Sequence, residues 1–401
     1  MVSVQEAVQI IRSVPCRVGT EEVRIHDCVG RVLAEPIVAD RDFPPFNRVA
    51  MDGIAIKSSV FGPGKTEFQV EGFQAAGSPV QRLVNDQSCI EVMTGAVLPE
   101  GTDAVVRYED LSISGGLARI NIDHVISGLN IHPKAQDATS GEVLLKPGQL
   151  ISPAEVALLA SVGKNNVLVY AFPKTVVIST GDELVPITTK PEVHQVRRTN
   201  VYALQAAMKQ VHWPADEQHL PDQEVEIRKR LADLIARYHV LILSGGVSKG
   251  KFDFIPKTLT TLGVEQHFHQ VSQRPGKPFW FGSRSDGKVV FALPGNPVST
   301  YVCFYRYILP WMMELMEVQL GQTSAILSER VTFAPNLTYF LQVSIFDERG
   351  KRLAKPVPGG GSGDFVNLKE VDGFVELPAD KSEFKKGESF PYISFRWPLI
   401  I

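Results

Sequence analysis

Cysteine is scarce in this chain of 401 residues, and no two cysteines are neighbours in the sequence. The four are Cys16, Cys28, Cys89 and Cys303. Without a CxxC pair or a Cys/His cluster, we expect neither a structural zinc site nor a disulfide framework. His267 and His269 share one side of a predicted strand, but they have no third ligand nearby, so we interpret them as ordinary polar residues.

Long apolar runs and a surplus of one charge are also missing. No apolar run approaches the roughly 18 residues of a membrane-spanning helix, and the first residues lack a signal-peptide pattern. With 41 basic and 44 acidic residues the net charge is −3, which gives no overall attraction to nucleic acid or to a membrane surface. We therefore expect a cytoplasmic protein that binds neither.

The composition is that of a globular protein, with 44% apolar and 21% charged residues. A chain of this length is expected to form two to four domains. The region 44–140 has short β-prone runs broken by Gly, Pro and Asn or Asp, which predicts a β-rich domain. The predicted boundaries are 1–43 together with 141–173 for a discontinuous N-terminal and linker domain, 44–140, 174–324, and 325–401 for a C-terminal β domain.

Strand, loop and helix patterns alternate through the region 174–324. Apolar runs at 175–179, 240–243 and 289–293 predict buried strands, and one-sided apolar stripes predict helices at 200–208, 223–239 and 300–313. Asn200 is the predicted N-cap of the first helix. The pattern predicts a multidomain α/β protein with a doubly wound, mostly parallel sheet flanked by β-rich domains.

Polar turns follow these strands. They are TGDE at 180–183, SGGVSKGKFD at 244–253 and PGNPVS at 294–299, and a fourth turn, RPGKP at 274–278, carries two cations. Ligands of open α/β sheets bind outside the carboxyl ends of the strands. Carboxylates beside cations, glycines and a helix start predict a phosphate-ester site with Mg²⁺, in which Arg274 and Lys277 hold an oxyanion.

Six motifs, in order, resemble the molybdopterin molybdenumtransferases, the family of MoeA and of the gephyrin E domain. They are MDG at 51–53, MTGA at 93–96, STGDEL at 179–184, SGGVSKGKFD at 244–253, RPGKPF at 274–279 and LPGNPVS at 293–299. The resemblance covers nearly the whole chain. It implies four domains in an elongated homodimer, with each active site completed by the other subunit. The implied reaction uses adenylyl-molybdopterin, molybdate and Mg²⁺, releases AMP and gives molybdenum cofactor, downstream of a molybdopterin adenylyltransferase.

The resemblance also implies the site residues. The implied catalytic residues are Asp52, Asp137, Asp182, Glu183, Asp222 and Asp253, and the metal ligands among them are Asp182, Glu183 and Asp253. The implied substrate contacts are Thr94, Thr180, Gly181, Ser244, Gly245, Gly246, Ser248, Arg274, Lys277, Pro294, Gly295, Asn296, Pro297, Ser299 and Ser362. For Asp222, an N-cap of the helix 223–239 is an equally good interpretation.

The chain departs from the family's usual pattern at several charged positions. Arg274 stands where lysine is common, Arg198 where an acidic residue is common, and Gln342 where the family has an arginine. Lys249 and Lys251 are additional cations, which either compensate for Gln342 or form a solvated loop face. Two other functions stay open: a nucleotide enzyme like the molybdopterin adenylyltransferases, which normally lack the MDG and MTGA motifs, and a non-catalytic scaffold or carrier like gephyrin.

Overall fold

The structure, a computed structural model, describes residues 1–16, 18–247, 254–318 and 321–396. The predictions for Ser248, Lys249, Lys251 and Asp253 therefore lie outside the described residues. Two compact units are present: Met1–Ala34, Pro147–Ser152 and Val167–Ile401 form the first, and Glu35–Lys146 with Pro153–Asn166 the second. The four-domain boundaries stay a prediction.

A six-stranded sheet lies in the first unit. In chain order its strands are β1 (Thr175–Thr180), β2 (Asp216–Leu220), β3 (Val240–Ser244), β4 (Glu265–Gln270), β5 (Pro278–Ser283) and β6 (Val289–Leu293). The spatial order is β2-β1-β3-β6-β5-β4. Strands β2, β1, β3 and β6 are mutually parallel. Strand β5 runs antiparallel to β6, and β4 runs antiparallel to β5. The predicted mostly parallel sheet is confirmed, and every residue of β1, β3 and β6 is buried.

Helices cover both faces of this sheet. They are α1 (Asn200–Gln210), α2 (Glu224–Arg237), α3 (Ile255–Thr261), α4 (Pro297–Cys303) and α5 (Leu309–Leu315). Along β3, Val240 and Ile242 pack into a core with α1, α4 and α5, whereas Leu241 and Leu243 pack into a second core with α2 and α3. The alternation of side chains along a strand thus produces the doubly wound arrangement.

The predicted continuous helix over 300–313 is wrong in one respect. A π-helical stretch, Phe304–Ile308, separates α4 from α5. Pro310 has no N–H to donate to the carbonyl four residues earlier, so the regular α-helical bonding cannot continue through this point.

The C-terminal region of the first unit is a closed five-stranded barrel. Each strand pairs with two others in the ring formed by Ser324–Leu327, Thr338–Glu348, Lys351–Pro356, Gly373–Leu377 and Ser389–Ser394. Closure leaves no unpaired edge within the ring.

The short segment 270–274 joins distant parts of the chain. The Ser272 N–H donates to the carbonyl of Val2 at 2.7 Å, and the Ser272 carbonyl accepts from Thr338 N–H at 3.0 Å. Gln273–Arg274 also pairs in parallel with the first residues of the barrel strand Thr338–Glu348. This segment therefore has the start of the chain on one side and the barrel on the other.

The remaining elements of the first unit are short. The N-terminal helix Val4–Ser13 begins with a capping box between Ser3 and Glu6. The strands are Thr20–Arg24, Asn166–Tyr170 (whose first residue belongs to the second unit), Leu184–Val185, Val196–Arg197, Gln273–Arg274, Val331–Thr332 and Glu383–Phe384, and the 3₁₀ helices are Ile25–Asp27 and Val366–Glu370.

The second unit contains a six-stranded sheet and one helix, Pro153–Ser161. In spatial order the strands are Ala104–Arg107, Gly53–Ile56, Ser88–Val92, Glu67–Gln74, Leu117–Ile120 and Leu111–Ser114. Shorter elements are Ile37–Val38, Arg48–Val49, Ser58–Val60, Tyr108–Asp110, Ile131–His132 and Val143–Leu145. The predicted β-rich character of this region is confirmed. Across both units, none of the described helices has the length and apolar character needed to span a membrane.

Candidate functional site

A cavity of about 940 Å³ lies at the carboxyl ends of β1, β3 and β6. This is the edge at which an open α/β sheet binds its ligands. Many predicted site residues line it: Thr180, Gly181, Glu183, Asp222, Ser244, Gly245, Gly246, Pro294, Gly295, Asn296 and Pro297. The wall also includes Arg197, Arg198 and the first residue of α1, Asn200, together with Pro278 from the RPGKP turn. Gly363 and Phe365 are contributed by the C-terminal glycine-rich loop, residues 359–365.

Two glycines form a cradle at the end of β3. Gly245 and Gly246 have φ angles of +102° and +68°, where side chains are strained. A Cβ on Gly245 would lie 2.7 Å from Thr180 Oγ1, and one on Gly246 would lie 2.8 Å from Ile255 Cγ1. Only glycine fits at these two positions, because a side chain would displace Thr180 or Ile255.

The hydroxyl of Thr180 faces this cradle without a hydrogen-bond partner. Thr180 is 4% exposed, and its Oγ1 has neither a donor nor an acceptor among the described residues. A buried hydroxyl left unpaired is unfavourable in the empty protein, so it is available to a polar ligand.

Asn200 holds three of the cavity loops together. Its Nδ2 donates to Ser244 Oγ at 2.8 Å, to the carbonyl of Gly295 at 2.8 Å and to Thr300 Oγ1 at 3.3 Å. The predicted N-cap role of Asn200 is wrong, because the N-cap of α1 is Thr199 and Asn200 lies in the first turn. Its side chain is used for tertiary contacts instead.

The start of α4 is closed by the C-terminal glycine-rich loop. Pro297 occupies the first turn. The Val298 N–H donates to the Ser362 carbonyl at 3.1 Å, and Asn296 Nδ2 donates to Ser362 Oγ at 2.8 Å. One amide at this helix start is therefore already satisfied. Ser299 is 3% exposed, and neither it nor Ser362 lines the cavity.

The acidic residues of the wall are Glu183 and Asp222. The Asp222 N–H donates to Asp182 Oδ1 at 3.0 Å, and the Asp182 N–H approaches Asp222 Oδ2 at 3.4 Å, so these two residues fix each other. The N-cap alternative for Asp222 is wrong, since Gln223 is the N-cap of α2. Among residues 1–16, 18–247, 254–318 and 321–396, no group of three or more acidic, histidine or cysteine side chains is arranged to enclose a metal.

This donor set suits Mg²⁺ shared with a substrate. Mg²⁺ is usually held by one or two carboxylates together with water and phosphate oxygens, and not by an all-protein cage. Glu183 and Asp222 provide such carboxylates in the cavity wall.

The two predicted oxyanion-binding cations lie outside the described cavity wall. Arg274 and Lys277 are both exposed. The backbone of Arg274 pairs with Tyr339 of the barrel, and its guanidinium carbon lies 6.0 Å from the ring centre of Phe333. Their molybdate and phosphate contacts stay a prediction, as does that of Ser299.

Sequence reasoning did not identify Arg198 as a site residue, although it did mark the position as a departure from the family. Arg198 lines the cavity, and its Nη1 lies 3.7 Å from Glu217 Oε1. Burial first, and then the positive charge of Arg198, lower the pKa of His219, whose Nδ1 is 2.9 Å from Ser179 Oγ. The sequence signal was an arginine two residues before the predicted N-cap Asn200, at a position where the family commonly has an acidic residue.

The predicted residues of the second unit have local partners. The Asp52 carboxylate accepts from the Thr94 N–H at 2.6 Å and from its hydroxyl at 2.7 Å, and these bonds lower the pKa of Asp52. Asp137 Oδ1 lies 2.8 Å from His132 Nε2, and Arg48 contacts the other nitrogen of that ring at 3.0 Å. Each carboxylate is thus oriented within its own unit.

Three family models match successive parts of the chain. They are described as the MoeA N-terminal region (domain I and II) over residues 2–163, a probable molybdopterin binding domain over 176–314, and the MoeA C-terminal region (domain IV) over 324–395. Together they extend over nearly all of the sequence.

Complete proteins of the same kind are similar to this chain. The molybdopterin molybdenumtransferase of Synechocystis is 40% identical over 98% of this chain and 100% of its own length, and that of Haemophilus influenzae is 33% identical over 95% of each. A crystal structure of the molybdopterin biosynthesis MoeA protein from Pyrococcus horikoshii, 27% identical, superposes with a TM-score of 0.85 over 98% of this chain and 100% of that one.

Proposed function

This chain belongs to the molybdopterin molybdenumtransferase family, and we propose that its cavity binds adenylyl-molybdopterin and molybdate, releases AMP and forms molybdenum cofactor. As a member it is a transferase of molybdenum cofactor biosynthesis that inserts molybdenum. The observation that supports substrate binding in this cavity is the Gly245-Gly246 cradle, which lies against the Thr180 hydroxyl. That hydroxyl is unpaired among the described residues.

Hydroxyl groups of the wall would donate to phosphate oxygens. The Thr180 hydroxyl has no competing partner within the described ranges of the chain. Ser244 Oγ accepts from Asn200 Nδ2, which leaves the serine's own proton to be donated. The Gly245 N–H bonds to the carbonyl of Leu293, which fixes the cradle against β6. Much of the acceleration would then come from holding the two substrates in place, with no side-chain nucleophile required.

Carboxylates of the wall would hold Mg²⁺. Glu183 and Asp222 line the cavity, Asp182 is fixed against Asp222, and Asp253 lies outside the described residues. When bound, Mg²⁺ supplies Lewis-acid polarisation of the phosphate oxygens. Molybdate is a substrate, and Arg274, Lys277 and Ser299 remain its proposed contacts on the strength of the family resemblance.

We further propose a cytoplasmic homodimer supplied by a molybdopterin adenylyltransferase. Asp52, Thr94 and Asp137 of each subunit would complete the site of its partner. The support for this is the family resemblance together with the fixed orientation of these side chains.

The direct test is an assay with adenylyl-molybdopterin, Mg²⁺ and molybdate that measures both AMP and reconstitution of an apo-molybdoenzyme. We expect molybdate-dependent AMP release with cofactor formation. Glu183→Gln should lose most of the activity, whereas Glu192→Gln, an exposed position outside the cavity wall, should keep it. Tight binding of the substrate without AMP release would contradict the transferase and indicate a carrier or scaffold.

A further inference from the structure

A phosphate-bearing ligand would favour a cation in the wall of this cavity. A substrate with phosphates brings negative charge to a wall that already contains Glu183 and Asp222. Arg274 and Lys277 are not part of the described wall. Among the wall residues that the structure describes, the cations are Arg197 and Arg198.

Arg197 is already used by the loop on which it lies. Its Nε donates to the carbonyls of Ile187 and Thr189, each at 3.1 Å. These bonds join the two ends of the loop between the short strands Leu184–Val185 and Val196–Arg197. The side chain therefore has a structural role before any ligand arrives.

The backbone of Arg198 is held by a hydrogen bond, but the guanidinium of its side chain has a donor without an acceptor among the described residues. Its N–H donates to the carbonyl of Val185 at 3.0 Å, and its side chain is only 18% exposed. Its Nε is buried and has no acceptor among the described residues. The contact with Glu217, at 3.7 Å, is long for a charged pair, whose N–O distance is normally about 2.8 Å. A guanidinium has five N–H donors, so this one is poorly satisfied.

We propose that Arg198 is a phosphate contact of this cavity and gives it a preference for the phosphorylated form of a nucleoside ligand. Arg198 and Thr180 both line the cavity, and each has a buried polar side-chain atom without a partner among the described residues. A phosphate group bound beside them could accept from both side chains. Glu217 is then a competitor that holds the guanidinium loosely when no phosphate is bound. This inference rests on the proposed function, because it assigns to Arg198 part of the binding of the adenylyl group.

The test compares AMP with adenosine, since the two ligands differ only in the phosphate. Their affinities are measured by calorimetry without Mg²⁺ for the full-length protein and for Arg198→Gln, Arg197→Gln and Glu217→Gln. For Arg198→Gln we expect the AMP-to-adenosine affinity ratio to fall about tenfold or more while adenosine binding is unchanged. Glu217→Gln should raise the ratio, because it removes the competing carboxylate.

Arg197→Gln is the matched control, since it removes the same charge one residue away. Its ratio should change less than about twofold, as expected for a cation already bound to carbonyls. If Arg198→Gln proves unstable in thermal denaturation, Arg198→Lys and Glu217→Gln still test whether Arg198 binds the phosphate. The lysine keeps the charge but not the fork of donors, so it should retain only part of the preference.

An unchanged ratio in Arg198→Gln, an equal loss of AMP and adenosine binding, or an equal effect of Arg197→Gln would overturn the proposal. So would a wild-type protein that binds AMP no more tightly than adenosine. Failure of the proposed function is a separate result: AMP release from adenylyl-molybdopterin would then not depend on molybdate, whatever the ratio shows.

Discussion

Two buried threonines at the ends of one strand differ in their hydrogen bonds. Thr175 accepts from Trp213 Nε1 and donates to the Pro173 carbonyl, whereas the Thr180 hydroxyl has no partner in the part of the chain that the structure describes. Thr175→Val should lower the free energy of unfolding by about 1–3 kcal/mol, because it leaves the indole N–H unpaired. Thr180→Val should cost nothing or raise stability slightly, and yet weaken AMP binding. Urea denaturation with ligand titration measures both, and similar stability losses in the two variants would contradict the expected difference.

His219 gives a pH dependence of stability. Its pKa is lowered, chiefly by burial and then by Arg198, so the folded protein binds this proton less readily than the unfolded chain. The stabilisation is fully present above the usual value of 6.5 and is lost as the pH falls below it towards the folded pKa. His219→Asn should therefore show a smaller loss of urea midpoint between about pH 7 and 5 than wild type. A wild-type slope in His219→Asn would contradict this role of His219.

At the scale of single residues, the sequence predicted which polar residues line the cavity, but not where Arg274 and Lys277 lie relative to it. Glu183, Ser244 and the two glycines follow apolar strands directly, so their place at the sheet edge is a local property. The position of Arg274 depends on strand pairing with Tyr339, far along the chain, and no local pattern carries that information. The three bonds of Asn200 are equally non-local, since its partners follow β3 and β6.

Among the elements, the loops that follow β3 and β6 depend on α1 through one side chain. Asn200→Ala removes a donor shared by three acceptors and leaves the carbonyl of Gly295 without it. We expect a loss of about 2–3 kcal/mol in the free energy of unfolding, together with weaker AMP binding. Asn296→Ala, which removes a single bond to Ser362, should cost about 1 kcal/mol. Equal losses in urea denaturation would show that Asn200 does not hold the loops together.

Substitution of two glycines distinguishes crowding in the cradle from the backbone strain that any positive-φ glycine relieves. Gly246 and Gly263 both have positive φ, +68° and +81°, but a Cβ would meet Ile255 at the first and nothing within 4 Å at the second. Gly263→Ala should cost about 1 kcal/mol from backbone strain alone. Gly246→Ala should cost more and also weaken AMP binding, as measured by denaturation and calorimetry. An identical effect of the two substitutions would mean that the space beside Gly246 is not restricted.

Element type was easier to predict than element ends. Continuous apolar runs predicted β1, β3 and β6, because a strand covered on both faces has no polar side. The ends of helices depend on which backbone groups are satisfied, so the predicted N-cap Asn200 and the N-cap alternative for Asp222 were both wrong. Apolar periodicity did not predict the π-helical stretch, which depends on the backbone hydrogen bond that Pro310 cannot donate.

At the scale of the whole molecule, the proposed composite site makes a prediction for mixed subunits. Asp52→Asn and Glu183→Gln would each inactivate both sites of a homodimer. In a mixed dimer, one site would receive intact residues from each subunit and the other would receive both changes. Random exchange should therefore restore about a quarter of wild-type activity. Two Asp52→Asn preparations mixed together are the control, and no recovery in exchanged subunits would mean that each chain builds its site alone.

Val2 and its hydrogen-bond partner Ser272 are synthesised at different times. On a ribosome, residue 2 is made before Ser272, which follows roughly 15–55 s later at about 5–20 residues per second. Thr338, which bonds to the other side of Ser272, comes later still. The carbonyl of Val2 therefore has no Ser272 N–H to bind until most of the protein has been translated. A chaperone that shields the helix Val4–Ser13 would have this whole interval in which to act.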